Sequence, residues 1–229
     1  MSNLTQYFQL MRHFFRQEFS ALERMISPIL FALVVLLVFT FTIPEVDDAW
    51  KLKMVVAQVV ISSFFALQVS LSRSFEIESQ DRFFEMIRVY PTRTTTFVLA
   101  KLSMVFFMAT ATFVSTVVLT SLLNSLDLLV WMRLPVMLEM VFVIGGLASL
   151  GTLLSAITLK AKARQVLFPL LFFPLSAPAL IGASEALIDS LSNSNWTDNS
   201  RGWIVLSGAF FVILLTCALL LGGESLEAE

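Results

Sequence analysis

Apolar residues fall into six long blocks along this chain, at about residues 26–43, 54–72, 95–123, 134–159, 166–188 and 203–222, with short polar stretches between them. Each block is near or above the roughly 20 apolar residues that cross a bilayer as a helix. The third and fourth are long enough to tilt or to project beyond the hydrocarbon. The segment before the first block has a different pattern. Over residues 4–24, Tyr7, Leu10, Met11, Phe14, Phe15, Phe19 and Leu22 recur at helical spacing with most charges between them. That pattern predicts an amphipathic helix. Two placements suit it, the membrane interface or the surface of a partner, and the membrane span that follows directly favours the interface. Arg12, Arg16, Glu18, Glu23 and Arg24 leave no room here for the apolar core of a cleavable leader.

Composition agrees with this pattern. Hydrophobic residues make up 57 % of the chain and charged residues 14 %, against roughly 45–50 % and about 25 % in soluble domains. A soluble fold of 229 residues could not hide that much apolar surface. The expected fold is therefore an all-α membrane protein, with an amphipathic N-terminal helix over 1–25, six transmembrane helices over 26–222 and a short tail over 223–229. The single cysteine, Cys217, leaves no disulfide within the chain to reveal a redox compartment.

Charge assigns the orientation. With the N-terminus inside, eleven of the 15 Lys and Arg fall on inside segments, and Lys51, Lys53, Arg133 and Arg201 fall outside. This is the bias of the positive-inside rule. Trp50, Trp131, Trp196 and Trp203 all lie in or beside the outer segments, where an aromatic belt would place them. Both termini are expected to be cytoplasmic.

Two segments stand out. The inside stretch 73–101 is long and densely charged, with Phe75, Phe83, Phe84 and Ile87 forming an apolar stripe among Glu76, Glu78, Asp81, Arg82, Glu85 and Arg88. Pro91 ends the helix, because the residue before a proline disfavours the α region. Such a helix is either an ordinary solvated loop helix or a docking helix whose aromatic anchors seat on a cytosolic partner. In the fifth span, Pro169, Pro174 and Pro178, followed by Gly182, predict a kink or a break. A broken or re-entrant segment near the outer face fits that pattern. The next stretch, from about Ser190 to Gly202, reads as an exposed outer loop.

Candidate chemistry is sparse. The glycines of GGLASLG at 145–151 precede no Lys and lie inside the fourth span, so close helix packing explains them better than phosphate binding. The one histidine, His13, cannot supply a ligand pair for haem or a metal cluster. Glu139 and Glu185 are carboxylates within membrane spans, a costly placement that marks functional candidates. Both fall near an interface, where a carboxylate can also reach water. No nucleophile–base or metal constellation is visible, so no enzymatic activity is expected.

The chain resembles the haem exporter protein B family (CcmB), the permease subunit of the cytochrome c maturation ABC transporter, over about residues 1–222. Two segments carry the resemblance. The first holds Arg73, Phe75, Gln80, Asp81, Glu85, Pro91, Leu99, Ala100 and Lys101. The second is the proline-studded LFPLLFFPLSAPALIGASEA after the basic Lys160, Lys162 and Arg164. Two positions depart from the family pattern: Arg82 follows Asp81 where Gly is usual, and Phe84 precedes Glu85 where Leu is common.

The resemblance implies an ABC exporter permease-like fold in a bacterial inner membrane. It also implies a coupling segment at 73–93, whose Arg73, Phe75, Gln80, Asp81, Phe84, Glu85, Pro91 and Lys101 would seat on an ATP-binding partner chain. Further implied partners are a second copy of the chain, a haem-handling membrane subunit, a small accessory subunit, the haem chaperone and membrane lipid, with no nucleic acid. ATP would be bound by the partner chain and haem handled by the complex, with no cofactor held by this chain. Closure of the ATPases would push on the helix bearing Asp81, Phe84 and Glu85 and move spans one, two and five, so that Pro174 and Pro178 reshape the outer face. A general ABC exporter for lipid, polysaccharide or drug shares the first motif. An ion-driven secondary transporter is the rival from another class, although no inverted repeat is visible.

Overall fold

The computed structural model describes residues 3–20, 22–42, 47–72, 94–158, 161, 163–193 and 196–227. Among them are seven α-helices: α1 (Asn3–Phe19), α2 (Leu22–Thr42), α3 (Asp48–Ser72), α4 (Thr94–Asn124), α5 (Leu134–Thr158), α6 (Arg164–Ser192) and α7 (Asp198–Glu227). A short 3-10 helix, Leu128–Met132, joins α4 to α5. Five helices, α3 to α7, hold stretches long and apolar enough to cross a membrane by length and composition. The expected first span is shorter: its apolar stretch is Ile26–Thr42, within α2. Pro28 lies inside that helix, two turns from its start.

Local chemistry explains where the helices end. At the end of α4, Ser125 adopts a left-handed φ of 54°, and the Leu126 amide donates back to the Ser121 carbonyl at 2.9 Å. This is the hydrogen bond of a Schellman cap. Asp127 then accepts from the Leu129 amide at 3.0 Å and starts the 3-10 turn. At the start of α7 the Ser200 amide donates to Thr197 Oγ1 at 3.0 Å, and the Thr197 amide donates to Ser200 Oγ at 3.2 Å. That reciprocal pair is a capping box built with Ser in the third position.

Helix α5 lies at the centre and packs against α3, α4, α6 and α7. Its buried positions run almost without interruption from Val143 to Ala156. A helix apolar on all sides has no outward face to offer and sits inside. Its most extensive contact is with α7. Here the predicted small-residue packing holds. A Cβ on Gly145 would lie 2.7 Å from the Phe211 ring, and one on Gly146 would lie 3.0 Å from Phe210. In the other direction, Gly208 of α7 faces Phe142 at 3.4 Å. Each helix thus offers glycine where the other offers Phe, and the backbones close up.

The amphipathic helix α1 lies against α4. Phe14 is buried, its ring 5.5 Å from Phe97 in an edge-to-face arrangement, and Phe15 meets Phe107 at 4.9 Å. The Tyr7 hydroxyl donates to Ser103 Oγ at 2.8 Å. Leu219, near the end of α7, joins the same apolar cluster. Helix α1 and Leu219 of α7 thus share one apolar cluster with the start of α4.

The fifth span departs from expectation. It is not broken: α6 is one continuous helix from Arg164 to Ser192, through all three prolines. The stripe Phe168, Phe172, Ser176, Ala179, Ala183 and Leu187 faces inward, while Leu170, Pro174, Pro178, Ile181 and Glu185 are exposed. Pro174 and Pro178 sit four residues apart on the outward stripe, so their missing N–H groups fall on the side left exposed among the described residues. The helix also extends further than its apolar core. With α6 ending at Ser192 and α7 starting at Asp198, the expected outer loop shrinks to a few residues. Helix α7 likewise runs to Glu227, through most of the expected tail. Trp131 is another departure: it is buried, while Trp50 and Trp196 are exposed as a belt requires.

Candidate functional site

Of the predicted coupling residues, Arg73, Phe75, Gln80, Asp81, Phe84, Glu85 and Pro91 lie outside the described residues. The described flanks define what any force on that segment would meet. On one side is the end of α3. Ser155 of α5 donates through Oγ to the Leu71 carbonyl at 3.1 Å, in the last described turn of α3. The Leu71 side chain also fills the space beside Gly151, where a Cβ would clash with it. The end of α3 is thereby fixed to the central helix.

The other flank is the start of α4. Lys101 is only 2 % exposed, and its Nζ stands 4.9 Å from the centroid of the Phe14 ring. This is cation–π distance. The predicted coupling residue Lys101 thus sits under α1. Together with Tyr7–Ser103 it ties the start of α4 to the amphipathic helix.

The transmembrane candidates separate into two environments. Pro174, Pro178 and Glu185 share the outward stripe of α6, whereas Glu139 is 1 % exposed in the middle of the helix packing. The structure does not bring the two carboxylates together. Ser207 of α7 donates to Glu139 Oε1 at 2.6 Å. Gly182 of α6 makes room for that pair, since a Cβ there would stand 3.1 Å from Ser207 Oγ. Glu139 Oε2 is buried and has no hydrogen-bond partner among the described residues. The same residue lines a small gap among α3, α4, α5 and α6, beside Ser63, Phe113 and Ala183.

Sequence reasoning missed several polar contacts in this frame. Ser207 carries no signal of its own in an apolar run, and only the register of α5 against α7 selects it. Gln58 of α3 accepts from Asn124 Nδ2 at 3.1 Å. Two amides within apolar spans were a usable signal, because such groups seek partners across helices. Arg133 was counted only as an outer charge. Its Nη1 lies 3.2, 3.1 and 3.3 Å from the carbonyls of Ser190, Leu191 and Asn193, capping the C-terminal end of α6. A cation there also meets the negative end of the helix dipole.

No individual curated protein matches the chain. A family model described as CcmB protein matches residues 5–228, nearly the whole length. That span includes both anchored flanks, the segment between them and the Glu139–Ser207 pair. With its set of long apolar helices, the chain is a multi-pass membrane protein, and it belongs to the CcmB family, the haem exporter protein B family.

Proposed function

We propose that this chain is the permease subunit of the cytochrome c maturation ABC transporter, and that it passes the ATPase stroke of a partner chain to the outer face of the membrane. The observation that carries the reading is the family match across residues 5–228. Its members belong to the cytochrome c maturation transporter system, which supplies the partner subunits.

In this reading α2 makes the sixth crossing. Its apolar stretch Ile26–Thr42 spans about 25 Å as a helix, at the short end of what crosses the hydrocarbon. An even number of crossings agrees with Leu219 of α7 joining α1 in the apolar cluster at one end of the bundle. The distribution of Lys and Arg assigns that end to the cytoplasm of a bacterium, with the protein in its inner membrane.

Segment 73–93 then faces the cytoplasm and seats on the ATP-binding subunit through Asp81, Phe84 and Glu85. A push on it is delivered to two places. Through Leu71 it reaches α5, which touches every other long apolar helix. Through the start of α4 it reaches α1. The chain itself hydrolyses nothing and binds no cofactor. A second copy completes the permease, and the haem-handling subunit, the accessory subunit and the chaperone assemble with it at the outer face. The exposed stripe with Pro174, Pro178 and Glu185 is available to such neighbours.

Deleting the gene and re-expressing it from a plasmid tests this reading against a general exporter of lipid, polysaccharide or drug. The expected result is loss of c-type cytochromes with haem accumulating on the chaperone, and recovery of both on re-expression. Normal c-type cytochromes in the deletion strain would refute it.

A further inference from the structure

Helix α1 does not spend all of its apolar surface on α4. Phe14 is buried there, but Leu4, Phe8 and Phe19 are exposed. Their placement is ordered. Residues four apart drift round a helix by about 40° per step, and Leu4, Phe8, Arg12 and Arg16 form one such row. The row begins apolar and ends basic, and both arginines are exposed. Phe19 projects between Phe8 and Arg12. The apolar part of this shoulder joins the outer face of α4. Phe19 stacks on Phe15 at 6.0 Å between ring centroids, and Phe15 meets Phe107 at 4.9 Å. Phe107, Val114, Val118 and Leu122 are exposed along one stripe of α4, a helix long and apolar enough to cross the membrane. The shoulder therefore continues a membrane-facing stripe, and Arg12 and Arg16 stand along its border. The one carboxylate of α1, Glu18, lies elsewhere, in a gap lined by Lys101 and Met104.

We propose that Leu4, Phe8 and Phe19 dip into the bilayer surface and that Arg12 and Arg16 bind the headgroup phosphates of anionic phospholipids there. Two features select this occupant. Continuity with the outer stripe of α4 places the shoulder against lipid, and a helix lying in that plane sinks its apolar side chains among the acyl chains while its basic residues reach the headgroups. The guanidinium group is a planar donor matched to phosphate oxygens, and two of them one turn apart are close enough to grip the same or adjacent headgroups. This inference rests on the chain being a multi-pass membrane protein and not on its role in transport, so the two can fail separately. The bilayer thereby becomes the outer support of α1, whose inner support is the buried Phe14 against Phe97 and Lys101.

The test has two parts, both on the purified full chain. Native mass spectrometry in detergent titrates the protein with phosphatidylglycerol and with phosphatidylcholine. Phosphatidylglycerol should bind more tightly, and Arg12→Gln with Arg16→Gln should weaken it about 25-fold, or about 5-fold for each arginine, while phosphatidylcholine binding stays unchanged. Arg201→Gln, which removes an exposed cation from another helix, should leave both affinities as they are. Equal binding of the two lipids, or an equal loss in Arg201→Gln, would overturn the proposal. Inorganic phosphate at matched ionic strength should not displace the lipid, and displacement would overturn the assignment to a lipid headgroup. The second part reads the seating of α1 in nanodiscs, with a spin label at Phe8→Cys or Gln9→Cys in a Cys217→Ser background. The label at residue 8 should meet membrane-dissolved oxygen more often than a water-soluble relaxing agent, and the label at residue 9 the reverse. Equal exposure of both labels to water, or shielding of residue 8 only after a partner protein is added, would overturn the proposal.

Discussion

Lys101 and Phe14 face each other across the contact between α4 and α1, with the ammonium 4.9 Å from the ring centroid. Both side chains are almost completely buried. Phe14 thus acts in two ways. It fills the space between the helices against Phe97, and it presents a ring face to a buried cation. Phe14→Ala should destabilise the protein by about 3 kcal/mol, the usual cost of emptying a buried Phe site. Phe19→Ala, on the same helix but 47 % exposed, should cost less than about 0.5 kcal/mol. Thermal melts in detergent of the two variants check this difference. Equal melting temperatures would mean that α1 does not rest on α4.

The α5–α7 contact predicts a rescue. Gly145→Leu drives a side chain into the Phe211 ring and should destabilise by about 1–3 kcal/mol. Phe211→Ala alone opens a void. Combined, the two changes should recover at least half of the summed loss, because the new side chain occupies the space the ring vacates. A double-mutant cycle on melting temperatures reads the coupling directly. Strict additivity would show that the two sites do not touch.

Removing the Ser207 hydroxyl leaves both oxygens of Glu139 without a donor among the described residues. Ser207→Ala is expected to cost about 1–3 kcal/mol, the penalty of a stranded buried acceptor. In Glu139→Leu, with no carboxyl group left to satisfy, Ser207→Ala should cost far less. If Ser207→Ala costs the same in both backgrounds, the 2.6 Å hydrogen bond contributes nothing to stability.

Arg133 holds three carbonyls at the end of α6, and Arg133→Ala should fray that end while leaving α5 intact. Hydrogen exchange would show faster exchange at residues 188–193 and no change near Gly145. Equal exchange at 188–193 would mean that the Asn193–Asp189 and Thr197–Asp189 contacts suffice to hold the turn.

Hydropathy made most of the helices legible in the sequence. The block at 134–159 became α5 (134–158), and the block at 95–123 became α4 (94–124). Such runs are set by the need to satisfy every backbone group in lipid, which leaves few alternatives to helix. Polar helix ends were less legible. Ser192 and Glu227 lie beyond the apolar cores, and hydropathy does not register a helix that continues into polar sequence. The prolines of α6 misled for a related reason. A proline deletes one hydrogen bond, but a membrane helix tolerates it when ring and carbonyl turn outward, and only the three-dimensional register reveals that. The site divided the same way. A carboxylate in an apolar span marked Glu139 at once, whereas Ser207, Gly182 and the gap depend on which face of α5 meets which neighbour.

The central claim is that segment 73–93 seats on an ATPase and drives the bundle through its two anchored flanks. The most direct measurement is co-purification from detergent after co-expression with the neighbouring ATPase and haem-handling subunits, comparing wild type with Glu85→Arg and Phe84→Ala. The account predicts that the ATPase accompanies the wild type and is lost from both variants, while the haem-handling subunit is retained. An ATPase that never binds the wild type, or that binds all three equally, would contradict it.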